Sequence, residues 1–515
     1  MRIALVTEGT YPVHTGGVST WCDQLLREMP EHEWTVIALT ATGSDRPIWP
    51  RPQSVRSVVL HPLWGVQPSP ARRPWRGPDV RVGIQSALLS LWDAALAPDG
   101  DEAVSQAEAA LRCLVELSTG TRIASLLAAA GSPSALLTAW RNRCADLFPM
   151  SVAEAVVASL IVDRTLGAID ASVGDVDVVH AAGNGASALV ALAAHWRHGT
   201  PMVLSEHGVY LRERYLALDD ADFSWAERRA VTALVRRICE VAYRQAERVV
   251  PVSDFNSRWA HRLGVDPGRV VTVRNGVRPD LFPPIDTEPD VPTLSFVGRI
   301  DPLKDLHTLV RAFALVHAEL PTARLRLFGP TPAGNEAYRD SVAELIEALG
   351  LTHAATFEGP SQGSRPAIAA GSVVVLSSIS EGLPYSVLEA MMCVRATVST
   401  DVGGVAECMD PDGSTGVVVP ARDPRAFADA CLELLTDDDR RHAMGAAARR
   451  YALLHATLDR AVTRYREVYD ALVEPRPLNV LRHEDALAMP NVVMPLPLPR
   501  SASPAVGGSL AGAGR

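Results

Sequence analysis

Lysine is almost missing from this chain of 515 residues: of its 49 basic side chains, 48 are arginine. The exception is Lys304, in Val297-Gly298-Arg299-Ile300-Asp301-Pro302-Leu303-Lys304-Asp305. A chain that writes its positive charge as guanidinium and keeps one ammonium points to a need for a compact point charge at that place. Cysteine is sparse too. Cys22, Cys113, Cys144, Cys239, Cys393, Cys408 and Cys431 include no CxxC pair, which excludes a disulfide framework or zinc ribbon and reads as reduced intracellular thiols. A formal net charge of −10 argues against nucleic acid as a partner. No apolar run is long enough to span a bilayer, and the first strand-like residues meet Glu8 before a signal-peptide core could form. The expected location is therefore cytoplasmic, extending to a peripheral seat at the inner face of the membrane.

What remains is a soluble globular composition, 47% hydrophobic and 21% charged, long enough for two cores. Apolar strands alternate with helical stretches, which predicts a parallel-sheet α/β domain. Strands are expected at 2–7, 35–39, 176–180, 202–205, 248–252 and 270–273. An alanine- and leucine-rich stretch at about 82–167 reads as a helical insertion, too long for an ordinary loop. Prolines at 283, 284, 289 and 292 mark a linker. A second alternation follows, with strands at 293–297, 324–328, 354–357, 373–376, 396–399 and 416–419. The expected domains are 1–284 and 293–445, then C-terminal helices at 446–473 packing back on the first domain, and a disordered tail at 474–515. Two doubly wound domains in tandem can face their ligand crevices across a cleft.

In the second half, a serine- and glycine-containing loop leads from a buried strand to a helix start: Ser378-Ile379-Ser380-Glu381-Gly382-Leu383-Pro384-Tyr385-Ser386-Val387-Leu388-Glu389. Pro384 suits a first helical turn, and free N–H groups from Leu383 to Ser386 can receive an anion. Glu381 and Glu389 can bracket a ligand's hydroxyls; alternatively, Glu381 answers the helix dipole and Glu389 is a solvated helix residue. Arg299 and Lys304, just past a strand, suit phosphate oxygens.

This order of Arg299, Lys304, then Glu381 and Glu389 eight residues apart resembles the retaining nucleotide-sugar glycosyltransferases of family 4, which have the GT-B fold of two facing Rossmann-like domains. The resemblance implies that Arg299 and Lys304 neutralise the donor diphosphate, Glu381 contacts the transferred sugar, and Glu389 binds the nucleotide ribose. It makes Gly382, Leu383, Pro384 and Tyr385 part of the donor seat. Leu327-Phe328-Gly329-Pro330 and Asp401-Val402-Gly403-Gly404-Val405-Ala406-Glu407 resemble further family turns, where a structural role is equally open.

In the first half, Gly16-Gly17 follows the opening strand and allows close backbone approach by a phosphate. Bacterial glycogen synthases have Lys-x-Gly-Gly-Leu at this point, whereas His14 stands where that lysine would be. Glu206-His207-Gly208-Val209-Tyr210-Leu211-Arg212-Glu213-Arg214 lies past a strand end. His207 is the expected catalytic residue there, and Glu206 and His207 are read as able to orient sugar hydroxyls. With Glu8-Gly9-Thr10-Tyr11-Pro12, this run resembles PelF-type exopolysaccharide glycosyltransferases over about residues 1 to 472. Asn275-Gly276 is read as a turn.

The expected reaction is retaining transfer of a hexose from a nucleoside diphosphate sugar, UDP-linked, to a growing glycan acceptor, with membrane-bound polysaccharide synthase components as further partners. The catalytic set is His207, Glu381, Arg299 and Lys304. The DxD triplets 175–177, 220–222 and 410–412 lack a metal-site context, so neither metal nor cofactor is expected. Two alternatives remain open: a PLP-dependent glycan phosphorylase using Lys304 as Schiff base, and a non-catalytic subunit of a polysaccharide-synthesis complex.

Overall fold

The computed structural model describes residues 1–64, 78–119, 122–144, 148–219 and 222–473; the tail at 474–515, expected to be disordered, and Asp220 lie outside the described residues. Two six-stranded sheets form, with every strand pair parallel. The first comprises β1 (Arg2–Glu8), β2 (Glu33–Thr40), β3 (Val55–Pro62), β4 (Val178–Ala181), β5 (Met202–Glu206) and β6 (Arg248–Pro251), in the order β3-β2-β1-β4-β5-β6. The second comprises β7 (Thr293–Val297), β8 (Arg324–Phe328), β9 (Ala355–Gly359), β10 (Val373–Leu376), β11 (Ala396–Thr400) and β12 (Val417–Val419), in the order β12-β11-β10-β7-β8-β9.

Central strands buried on both faces need apolar runs rather than alternation. Ile3, Ala4, Leu5 and Val6 of β1 and Val373 to Leu376 of β10 meet that need. In each sheet the strand order reverses beside the strand that comes first in the chain, between β1 and β4 and between β7 and β10. Crevices open at the carboxyl ends of such pairs. The loops after β1, β5, β7 and β10 carry the residues singled out in the sequence.

Two expectations need correction. Residues 270–273 do not extend the first sheet as a strand. Val271 and Val273 donate one backbone hydrogen bond each to Val249 and Pro251, at 2.9 Å, and only Val270 forms a bridge, to Val249. Conversely, β3 was not expected: it is an edge strand ending at Pro62, with mixed exposure that blurs any period-2 pattern.

Helices Pro78–Leu96, Asp101–Leu117, Ile123–Ala130, Ser132–Arg143 and Val152–Leu166 lie between β3 and β4 and join one apolar core with the first sheet, centred on Trp92, Leu111, Leu114 and Trp140. Arg237, fully buried on the helix Trp225–Gln245, ties this group down. Its guanidinium donates to the Ala94, Ala97 and Pro98 carbonyls at 3.0 to 3.1 Å and to Glu240 at 2.5 Å. It thereby satisfies carbonyls at a helix end that has no internal partners for them.

The proline-rich stretch between the sheets is fixed to the second half. Ile285 N–H donates to the Cys393 carbonyl at 3.2 Å, Arg395 donates to the Ile285 carbonyl at 3.0 Å, and Arg441 pairs with Glu288 at 2.6 Å. The final helix, Leu458–Val473, lies against the first sheet. Tyr469 Oη and Ser205 Oγ hold the two ring nitrogens of buried His180 at 2.6 and 2.7 Å, and Arg466 pairs with Glu31 at 2.7 Å. Among the described residues, no helix is long and apolar enough to cross a membrane.

Candidate active site

The loop after β7 and the loop after β10 meet at one ion pair. Lys304 Nζ donates to Glu381 Oε1 at 2.5 Å, with side-chain exposures of 18% and 11%. The backbone frames it: Ile379 N–H donates to the Leu303 carbonyl at 2.8 Å, Ser377 Oγ to the Lys304 carbonyl at 2.7 Å, and Ser378 Oγ to Glu381 Oε1 at 2.6 Å. Asp301 caps the short turn Pro302–Lys304 that carries the ammonium and also holds Arg299 Nε at 3.1 Å. Arg299 remains 45% exposed, its outer guanidinium nitrogens directed at the first half. A Cβ on Gly16 would lie 3.9 Å from Arg299 Nη1, and one on Gly17 would lie 3.5 Å from the Tyr385 ring.

The helix expected after this loop spans Tyr385–Met392. Pro384 is its N-cap rather than its first residue, and no side chain caps the first turn. The N–H groups there are therefore the available anion donors. Leu383, Pro384 and Tyr385 are buried, and Pro384 has no N–H to offer an anion. Tyr385 Oη donates to Gln24 at 2.9 Å, and Asn275 Nδ2 donates to the Leu383 carbonyl at 2.8 Å. The Asn275-Gly276 turn thus holds this loop from the first half. Glu389 sits half-buried on the helix, and burial raises its carboxyl to about 7, with Ser364 beside it partly offsetting. Glu389 is thus partly withdrawn from solvent. No hydrogen bond or ion pair among the described residues joins Glu389 to Lys304 or Glu381.

The first half reaches the same place through the loop after β5. A Cβ on Gly382 would lie 1.6 Å from the His207 carbonyl oxygen, so the two loops are in contact and only glycine permits it. The His207 ring lies on Trp21, centroids 4.2 Å apart. Its Nε2 is buried without a partner, and burial lowers the imidazole to about 3. His207 is thus a neutral ring. Glu206, expected to share a role with it, does not reach the cleft. It is 1% exposed, accepts the Tyr243 hydroxyl, and burial raises it to about 8. Neighbouring residues at a strand end point to opposite faces, so His207 turns toward Trp21 and Glu206 toward Tyr243.

Several residues quoted only within longer sequence runs have contacts to which sequence assigned no role. Arg212, on the helix Tyr210–Asp219, donates to Ser380 Oγ and, at 2.9 Å, to the Ile379 carbonyl, clamping the Glu381 loop. Glu213 follows it. Glu8 accepts the Ala186 N–H at 2.9 Å and the Tyr210 hydroxyl at 3.1 Å. Glu407 accepts the N–H groups of Asp254 and Phe255 at 2.7 Å, where the helix Asp254–Arg262 begins. That gives the glycine-rich turn before it a structural role. His14 is exposed.

The acid triplets are engaged elsewhere: Asp175 and Asp177 pair with Arg2, and Asp410 and Asp412 accept N–H groups within a turn. Among the described residues, no group of three or more His, Cys, Asp or Glu side chains is placed to hold a metal ion.

Two family models match this chain. "Domain of unknown function (DUF3492)" matches residues 1–268 and "Glycosyl transferases group 1" matches residues 291–437. D-inositol 3-phosphate glycosyltransferase of Kineococcus radiotolerans is 36% identical over 232 residues, covering 40% of this chain and 53% of that protein. Alpha-maltose-1-phosphate synthase of Mycolicibacterium smegmatis is 30% identical over 280 residues, 49% and 68% of the two chains. The chain spans about half the length of the first of these relatives. Sucrose-phosphate synthase of Thermosynechococcus elongatus superposes with a TM-score of 0.62 at 17% identity, over 92% of this chain and 100% of that one. HepE of Anabaena, solved with UDP and glucose, superposes at 0.58 and 15% identity, over 91% and 99%. These likenesses are of fold, and with the two parallel sheets they make the architecture GT-B.

Proposed function

The chain belongs to the DUF3492 family, with a group 1 glycosyl transferase second half, and from that premise we propose that it is a retaining, metal-independent hexosyltransferase. It moves a hexose from a nucleoside diphosphate sugar, UDP-linked, to a growing exopolysaccharide or related glycan. The observation that carries this reading is the Lys304–Glu381 pair, 2.5 Å apart, beside exposed Arg299 and an uncapped helix start.

The chemical task is departure of a diphosphate while positive charge grows at the anomeric carbon. Lys304, Arg299 and the N–H groups at 385–386 would offset the leaving charge, and Glu381 would hold the sugar. Each preorganised contact of this kind contributes about 2.7–4 kcal/mol to lowering the barrier. Neutral His207 would then meet the sugar without repelling the developing cation. Contact between the 382 and 207 loops would exclude water from the donor. For the phosphorylase alternative, Lys304 would have to offer its amine to a Schiff base, whereas its Nζ is engaged by Glu381.

The test is a thermal-shift panel of UDP-, GDP- and ADP-sugars on the full chain, since a ligand bound only by the folded state raises its stability. A UDP-sugar is expected to give the largest rise. No rise with any of the three would remove the reading, and an absorbance band of bound pyridoxal would favour the alternative.

A further inference from the structure

A cation of the first half reaches the loop that carries Glu381, and the mechanism above gives it no part. Arg212 lies half-buried on the helix Tyr210–Asp219, and among the described residues no ion pair holds it. Its guanidinium donates to Ser380 Oγ and, at 2.9 Å, to the Ile379 carbonyl. Ile379 is gripped from the other side too: its N–H donates to the Leu303 carbonyl at 2.8 Å, one residue before Lys304. The backbone leading into Glu381 is therefore strung between a first-half guanidinium and the turn that carries the ammonium. The contacts that join the halves are of two kinds. At Glu407 they are charged on both sides: its carboxylate accepts the Asp254 and Phe255 N–H groups at 2.7 Å and pairs with Arg274 at 3.3 Å. A contact of that kind is built to stay. Arg212 instead meets only a hydroxyl and a carbonyl. A cation held out of water by neutral groups regains its hydration when it lets go, so opening costs little there. While closed, its planar fork fixes two neighbouring residues at once.

We propose that Arg212 is a positioning residue that acts through Glu381. With the halves closed it holds residues 379 and 380 so that the Glu381 carboxylate stands where the transferred sugar needs it; with the halves open it lets that loop go. This rests on the transferase reading. The diphosphate contacts assigned above, Lys304, Arg299 and the N–H groups at 385–386, all belong to the second half. Donor binding therefore does not need the Arg212 latch, whereas the chemical step does.

The experiment measures kcat and KM for UDP-glucose with water as acceptor, and UDP affinity by calorimetry, in wild type, Arg212→Ala and Arg212→Lys, with and without millimolar guanidinium chloride. In Arg212→Ala, kcat is expected to fall about 100-fold, the scale of a misplacement of about 1 Å, with UDP affinity within about twofold of wild type. Arg212→Lys has no fork and is expected to recover little; should the alanine variant fail to fold, it carries the same split between kcat and UDP affinity. Guanidinium is expected to restore part of kcat in Arg212→Ala and to leave wild type unchanged, which a merely structural contact would not do. Wild-type kcat in Arg212→Ala, UDP affinity falling in step with kcat, or no gain from guanidinium would each overturn the proposal alone. Where water is too slow an acceptor to give a rate, hydrogen exchange of the 379–383 amides with UDP-glucose bound decides: faster exchange in the variant supports the latch, and equal exchange overturns it. A wild-type protein that binds neither UDP nor UDP-glucose would overturn the transferase reading and this role with it.

Discussion

The two walls of the cleft are built on opposite electrostatic plans. On the second-half wall, charge is kept and paired: Lys304 with Glu381, both largely buried, and Arg299 with Asp301 while its fork stays exposed. Behind the first-half wall, burial drives ionisable groups toward their neutral forms: His207 and His180 to about 3, Glu206 to about 8. A wall of fixed charges suits an anionic diphosphate, and a desolvated wall with few charges suits a hydroxyl and a cation-like sugar. The comparison teaches that the second half keeps an ion pair and an exposed guanidinium where the first half keeps a neutral imidazole.

The comparison predicts a graded set of effects. Lys304→Ala removes the ammonium from the donor wall and is expected to lower nucleotide-sugar turnover about 10²–10³-fold, the scale for one lost preorganised contact; steady-state kinetics check it. Lys304→Arg should recover only part of this, because a planar fork does not replace a point charge. Next comes Gly382→Ala, whose methyl would strike the His207 carbonyl at 1.6 Å. Separating the walls is expected to destabilise the protein by about 1–3 kcal/mol, read as a lower melting temperature.

Smaller again is the pH signature of the first wall. A carboxyl raised on folding, such as Glu206 at about 8 against 4.5, contributes stability that is full below about pH 4.5 and is lost as pH climbs through 8. Glu206→Gln is expected to flatten the fall in melting temperature between pH 6 and 9, measured by thermal denaturation. The smallest effect is Tyr385→Phe, which deletes one hydrogen bond between the walls, to Gln24. It is expected to cost about 0.5–1.5 kcal/mol, with turnover nearly unchanged.

The same contrast explains what could be read from sequence. The donor wall is local: Lys304 follows a strand end by a few residues and Glu381 opens a helix, so each announces itself by strand, loop and composition. Apart from β3, the parallel strands of both sheets were legible for a similar reason, being short apolar runs. The acceptor wall is not local. Nothing near Glu213 reveals that Arg212 reaches residues 379 and 380, a contact between residues 167 and 168 positions apart. Asn275 looked like a bare turn until the Leu383 carbonyl was placed on it. Glu206 could have been assigned to the core, since it ends a central strand buried on both faces.

The central claim is that Lys304 grips the donor's diphosphate. Titrating UDP into wild type and Lys304→Ala by calorimetry at one fixed salt concentration tests it most directly. The account predicts a dissociation constant at least about tenfold weaker in the variant, the 1.4 kcal/mol of a lost charged contact, with the fold intact by circular dichroism. Equal affinity in the two proteins would contradict it.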